Sequence, residues 1–306
     1  MNSYETPTIR PEDAYENITV LSGTETAEGP VSVILGGVHG DERCGMEILE
    51  KLLPALTITR GKVIIAFGNP RAIRENKRST EANLNRMFKP DEQLSDAEKN
   101  SYEYQRAQEL KELLDQADAL LDVHASSTPG SRPFVICEDN AAGIAESLPV
   151  ERVVSGFDAV EPGGTDYYMN RNGKIGICVE CGYRDDPASL GTAEESILAF
   201  LGARGHIDRT PAKKEAQRMR MYSLYLAKTR RFRLAKMFED FERVAEGQLI
   251  GTDGDEEIRA QEDSVILFAS DSRTSTESLE PGDEAFLLGR DESGATRTRS
   301  SPEASA

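Results

Sequence analysis

Five short apolar runs punctuate the first two thirds of the chain: VSVILGG (31–37), KVIIAF (62–67), ADALLDVH (117–124), PFVIC (133–137) and IGICVEC (175–181). They are rich in β-branched residues and bounded by polar or turn-forming positions, which predicts buried strands. Helical patterns separate them. Residues 95–116 open on Ser95 and Glu98 in capping-box spacing and carry apolar positions at helical intervals, so a helix is predicted there. Further helices are predicted over 42–53 and 192–204. Alternation of strands and helices predicts an α/β fold, with a largely parallel sheet covered on both faces and ligands gathered at the carboxyl ends of its strands.

The pattern changes near 206–214, where HIDRTPAKKEA is polar, contains proline and reads as a linker. Beyond it come the short strand-like runs MYSLYLAK, RRFRLAKM, QLIGT, SVILFAS and EAFLLG. The expected organisation is a catalytic domain over 1–208, a small β-rich domain over 215–291 and a disordered tail over 292–306.

Charge narrows the choice of partners. With 36 Lys and Arg against 54 Asp and Glu, the net charge is −18, and such a chain repels phosphate backbones and anionic lipid. Nucleic acid and membrane are therefore not the expected partners. The segment 213–236 reverses the sign locally; it is expected to dock on the acidic catalytic domain, the alternative being an anionic partner. Neither a basic-then-apolar N-terminus nor a run long enough to span a bilayer is present, so a cytoplasmic protein is expected. The 4 cysteines do not form the framework of a secreted domain.

Three segments carry the chemistry. In GGVHGDERCG (36–45) a strand enters a glycine-rich loop with His39 and Glu42 three residues apart, close enough for an imidazole and a carboxylate to meet one metal ion. The chain has only 3 histidines, and His124 ends another predicted strand. Two histidines and one acid leave a fourth zinc position open, the pattern of a catalytic site. Asp122, two residues before His124 on the same strand face, is placed to orient its imidazole. His206 falls in the linker and is expected to be exposed and incidental.

The second segment, GNPRAIRENKRSTEANLNRMF (68–88), is a long polar stretch of the kind that usually has a function. Arg78, Asn85 and Arg86 are its candidates for binding a substrate carboxylate, because guanidinium and amide groups offer directed donors. The third is Glu180 in IGICVECGY. A carboxylate within an apolar strand is costly unless it faces a polar cavity, and beside a zinc-activated water it would act as general base and then general acid. Cys178 and Cys181 fall on opposite strand faces and read as core cysteines rather than a metal knuckle.

The set HGDE (39–42), GNP (68–70), Arg78 followed by NLNR (83–86), DVH (122–124) and VECG (179–182) resembles the succinylglutamate desuccinylase/aspartoacylase family. That resemblance implies a zinc carboxypeptidase-like architecture, a mixed, mostly parallel sheet between helices with a small C-terminal β-rich domain. It also implies one zinc per chain on His39, Glu42 and His124. Arg78, Asn85 and Arg86 become substrate contacts, with Arg86 also helping to stabilise an oxyanion, and Glu180 becomes the general base. The family's late tyrosine has no counterpart after Tyr225, and Arg171 is the candidate for a second basic contact. The reaction implied is hydrolysis of a small N-acyl amino acid; the alternatives are a zinc carboxypeptidase acting on peptides and a non-catalytic zinc-binding protein. Oligomeric state is left open.

Overall fold

The computed structural model describes residues 18–271 and 279–292, with Glu16 and Arg273. Its first elements are β1 (Thr19–Ser22), β2 (Thr26–Gly36), α1 (Arg43–Leu52), β3 (Arg60–Phe67), α2 (Pro70–Glu75), α3 (Asp96–Lys99), α4 (Tyr102–Leu114) and β4 (Ala119–Ser126). There follow β5 (Phe134–Cys137), α5 (Ala142–Ala145), β6 (Arg152–Ser155), α6 (Phe157–Val160), α7 (Thr165–Arg171), β7 (Ile175–Tyr183) and α8 (Ala188–Ala203). The C-terminal part contains β8 (Gln217–Leu226), β9 (Arg233–Leu234), β10 (Glu242–Val244), β11 (Leu249–Asp253), β12 (Glu256–Arg259), β13 (Ser264–Leu267) and β14 (Glu284–Asp291).

An 11-stranded sheet has the order β1-β3-β2-β4-β7-β5-β6-β8-β14-β13-β10. Its centre, β3-β2-β4-β7, is parallel, with Val33 opposite Ile64 on one side and Leu120 on the other; β5 runs antiparallel to β7. Strand alternation divides the side chains between two cores. Ile34, Ile65, Leu121, Val123 and Val179 pack with Ile48 and Leu49 of α1 and Ile197 and Phe200 of α8. Val33, Leu35, Ile64 and Leu120 pack on the opposite face with Leu110 and Leu114 of α4 and Met169 of α7. The result is the mixed, mostly parallel sheet between helices implied by the sequence. Leu49 and Phe200 are both 0% exposed, and such complete burial contributes roughly 2 kcal/mol for each side chain.

The predicted helix over 95–116 is two helices. The capping box is formed, with Ser95 Oγ accepting from the Glu98 N–H at 3.2 Å and Glu98 Oε2 accepting from the Ser95 N–H at 2.7 Å. A second cap, Ser101 Oγ accepting from the Tyr104 N–H at 3.1 Å, then restarts the chain as α4. α8 begins at Ala188 rather than 192, and the short strands β1 and β6 were not predicted.

Residues 207–216 contain neither helix nor strand, as a linker would, yet the C-terminal part does not stand apart. β8 pairs parallel with β6, and β14, β13 and β10 continue the same sheet antiparallel. Among the described residues β12-β11-β9 forms a second sheet, over a core containing Phe232, Ile250 and Phe286. Arg218 of β8 binds Glu146 at 2.8 Å, so this basic strand docks on acidic groups of the preceding part. Lys228 and Arg230 pair within the C-terminal part, with Glu256 and Glu280. Of the expected tail, Glu292 is described, its N–H bonded to Arg218 O at 2.8 Å; the rest lies outside the described residues.

His206 departs from expectation. It is 0% exposed, its Nδ1–H donating to Arg60 O at 2.9 Å and its Nε2 lying 2.8 Å from Ser32 Oγ. The turn after α8 drives the ring between β2 and β3, where both nitrogens find partners, so it has a structural role. Among the described residues no helix is long and apolar enough to cross a membrane.

Candidate active site

The carboxyl ends of β2, β4 and β7 open into one cavity of about 1320 Å³, lined by groups from both parts of the chain. The loop after β2 can reach it because Gly40 lies against α2; a Cβ there would overlap the backbone of Ala72. This places Glu42 at the N-cap position of α1, but its side chain makes no capping bond. Instead its Oε1 lies 2.8 Å from His39 Nδ1 and its Oε2 lies 2.9 Å from His124 Nδ1.

The outer imidazole nitrogens define the tautomers. Asn83 Oδ1 accepts the Asn85 N–H at 3.0 Å and lies 3.1 Å from His39 Nε2, so that ring nitrogen carries the proton. Asp122 Oδ2, itself receiving the Thr165 hydroxyl at 2.6 Å, lies 3.1 Å from His124 Nε2. The His39 Nδ1 lone pair is thereby turned inward, and His124 Nδ1 faces the same Glu42 carboxylate. Donor atoms of His39, Glu42 and His124 lie within 4.8 Å of one another, and all three residues are buried. Two imidazole nitrogens and a carboxylate, with outer nitrogens facing an amide and a carboxylate, fit zinc.

The ionisation pattern follows from this convergence. Burial opposes the Glu42 charge, but His39 and His124 overcome it and hold the carboxyl well below its ordinary range. Burial, followed by the Arg78 charge, lowers the His39 pKa. At His124 burial acts in the same direction, but Asp122, Cys178 and Glu42 outweigh it and raise the pKa.

Glu180 lies opposite His124 in the β4–β7 register. Its carboxyl is pushed up to about 8, first by burial and then by the Glu42 charge. Its Oε2 is buried without a hydrogen-bond partner, so the carboxylate faces the cavity with an oxygen free. Cys181 packs in the core beneath α1 and α8, whereas Cys178 faces the other side of the sheet.

The Arg-rich segment is ordered by a residue outside it. Glu103, 0% exposed in the first turn of α4, accepts from Thr80 N at 2.8 Å, Thr80 Oγ1 at 2.7 Å, Asn69 Nδ2 at 3.2 Å and Ala82 N at 3.1 Å. Burial opposes its charge, but these donors, Thr80 foremost, lower its pKa. Arg78 is thereby delivered to the site, with Nη1 3.0 Å from Glu42 Oε1. Asn85 is committed to the backbone, its Oδ1 accepting the Thr165 N–H at 3.2 Å.

Two expected substrate contacts have other partners in the structure. Arg86 does not present a free guanidinium: Nε and Nη2 donate to the two oxygens of Glu284 at 2.6 and 2.8 Å, Nη2 also pairs with Glu161, and Nη1 donates to Asn85 O at 2.7 Å. Arg171, at the exposed end of α7, bonds Tyr167 Oη at 3.2 Å and is absent from the cavity lining. Arg184, not singled out in the sequence, lines the cavity and pairs with Asp41. Also missed were Asn83, Glu103, Glu161 and Glu284. Asn83 stands inside the NLNR motif and could have been found there; the others belong to segments that read as ordinary helix, turn and strand.

A family model described as the succinylglutamate desuccinylase/aspartoacylase catalytic domain matches residues 28–199. A succinylglutamate desuccinylase of Pseudomonas putida is 36% identical over 84 residues, 26% of this chain and 24% of that protein. An N-alpha-acetyl-L-2,4-diaminobutyric acid deacetylase of Halomonas elongata is 27% identical over 224 residues, 66% of this chain and 63% of that protein. The chain thus matches less than two thirds of either relative. The solved succinylglutamate desuccinylase of Vibrio cholerae superposes with a TM-score of 0.73 at 21% identity, covering 90% of this chain and 85% of that one. That likeness concerns the fold.

Proposed function

The chain belongs to the succinylglutamate desuccinylase/aspartoacylase family, and from that premise we propose that it is a zinc-dependent amidohydrolase that deacylates a small N-acyl amino acid. The observation that carries this reading is the convergence of His39 Nδ1, His124 Nδ1 and the Glu42 carboxylate beside the partnerless Oε2 of Glu180. His39, Glu42 and His124 would hold one zinc. When bound, zinc supplies Lewis-acid polarisation of the scissile carbonyl and acidifies a water.

The remaining work falls to the chain's own groups. Glu180 takes a proton from the attacking water at its free oxygen and returns it to the leaving nitrogen, a role suited to a carboxyl held at about 8. Arg78, whose Nη1 donates to Glu42 Oε1 at 3.0 Å, is the guanidinium placed to meet charge developing on the carbonyl oxygen. Arg86 belongs to substrate selection instead, through its two carboxylate partners.

The test is an assay of the purified protein against N-acyl amino acids and short peptides, before and after chelation and with zinc restored. Hydrolysis of N-acyl amino acids that is lost on chelation and regained with zinc is expected. Full activity after chelation, or hydrolysis of peptides alone, contradicts the proposal.

A further inference from the structure

We infer that the cavity end around Arg86 receives a cationic group, so that the N-acyl amino acid taken by this site carries a second, protonated amino group rather than a second carboxylate. This specificity rests on the hydrolytic reading of the same site.

Glu284 engages Arg86 with both oxygens and Glu161 engages it from another side, so two negative charges face one positive charge. The side chains of Arg86 and Glu161 are only 15% and 8% exposed. A substrate carboxylate reaching this guanidinium would add a third negative charge to two already there, and displacing Glu161 to make room would leave a nearly buried carboxylate uncompensated, which is expensive. An ammonium group meets the opposite situation: acceptors already in place and an uncompensated charge to neutralise.

The arrangement is built into the backbone. Gly163 passes so close to the Arg86 segment that an added Cβ would lie 2.8 Å from Arg86 O, and Gly163 O accepts the Phe88 N–H at 3.1 Å. This contact holds the turn carrying Glu161 against Arg86. Asp158 and Asp166 line the same cavity, and burial pushes their carboxyls up to about 6 and about 7. The cations elsewhere on the lining, Arg43, Lys77, Arg78 and Arg184, are drawn to Glu47, Glu75, Glu42 and Asp41, so none of them offsets this end.

Binding measured without turnover separates specificity from catalysis. Calorimetry on the zinc-loaded Glu180→Gln protein would compare Nα-acetyl-ornithine, Nα-acetyl-glutamine and Nα-acetyl-glutamate, whose side chains are similar in length and differ in charge. The ornithine derivative is expected to bind at least about tenfold more tightly than the glutamate derivative, the scale of one hydrogen bond to a charged group. Adding Glu161→Gln or Glu284→Gln should shrink that ratio to about threefold or less. Equal or tighter binding of the glutamate derivative, binding of none of the three, or a ratio unmoved by both added substitutions overturns the inference. Preference for the ornithine derivative without its hydrolysis by the unsubstituted zinc protein would instead count against the hydrolytic reading.

Discussion

Asn83 Oδ1 lies 3.1 Å from His39 Nε2 while accepting the backbone N–H of Asn85 at 3.0 Å. Because the backbone bond fixes which end of the amide faces inward, Asn83 dictates the His39 tautomer and leaves Nδ1 as a lone-pair donor. Asn83→Ala should weaken zinc binding about 10- to 100-fold, the usual effect of losing such an orienting group. Competition against a chelator of known affinity measures this; an unchanged zinc Kd would show that the imidazole is oriented by something else.

Glu103 organises the loop that carries Arg78 although it touches neither the metal donors nor the cavity. Glu103→Gln replaces acceptor capacity with a donor and should cost about 1–3 kcal/mol of stability. The sign of the pH effect is set by its lowered folded-state pKa. Its stabilisation is present above the unfolded carboxyl value and disappears as pH falls through the folded one. Acid unfolding curves of the two proteins should therefore converge at low pH. Curves that stay equally separated down to full protonation would contradict the assignment.

Asp166 has the opposite linkage. Burial, followed by the Asp158 charge, raises its carboxyl from 3.8 to about 7, so the folded protein binds its proton more tightly than the unfolded chain does. Stability should fall as pH rises from 3.8 to about 7 and then stop changing on this account. Asp166→Asn should remove that slope, as measured by urea unfolding across the interval. An unchanged slope would place its origin elsewhere.

Arg78 and Arg86 should separate kinetically. If Arg78 meets charge that develops during reaction, Arg78→Ala should lower kcat by about 10²- to 10³-fold, as loss of an oxyanion donor does. Arg86→Ala should act mainly on KM, because it removes the group that holds Glu161 and Glu284 in place. Steady-state kinetics on one substrate decides this, and a larger kcat loss for Arg86→Ala would reverse the two roles.

The central strands, the Ser95–Glu98 capping box and the convergence of His39, Glu42 and His124 were legible because each depends on local periodicity or on short motifs at strand ends. The joining of β8 to β6 was not, because a parallel pairing across a linker leaves no local pattern. The partners of Arg86 were not legible for a similar reason: Glu161 and Glu284 are distant in sequence, and a free guanidinium and a neutralised one look alike in a motif. His206 looked exposed because its polar neighbours in sequence gave no hint of Ser32 and Arg60.

In the proposed mechanism Glu180 moves protons while other groups hold the metal. Glu180→Gln retains the shape of the side chain and removes the base, so zinc content, melting temperature and kcat measured on one preparation test it most directly. The expected protein is folded, carries zinc at the stoichiometry of the unsubstituted chain, and has lost at least about 10²- to 10⁴-fold in kcat. A stable, zinc-loaded Glu180→Gln protein with unchanged kcat would contradict the mechanism.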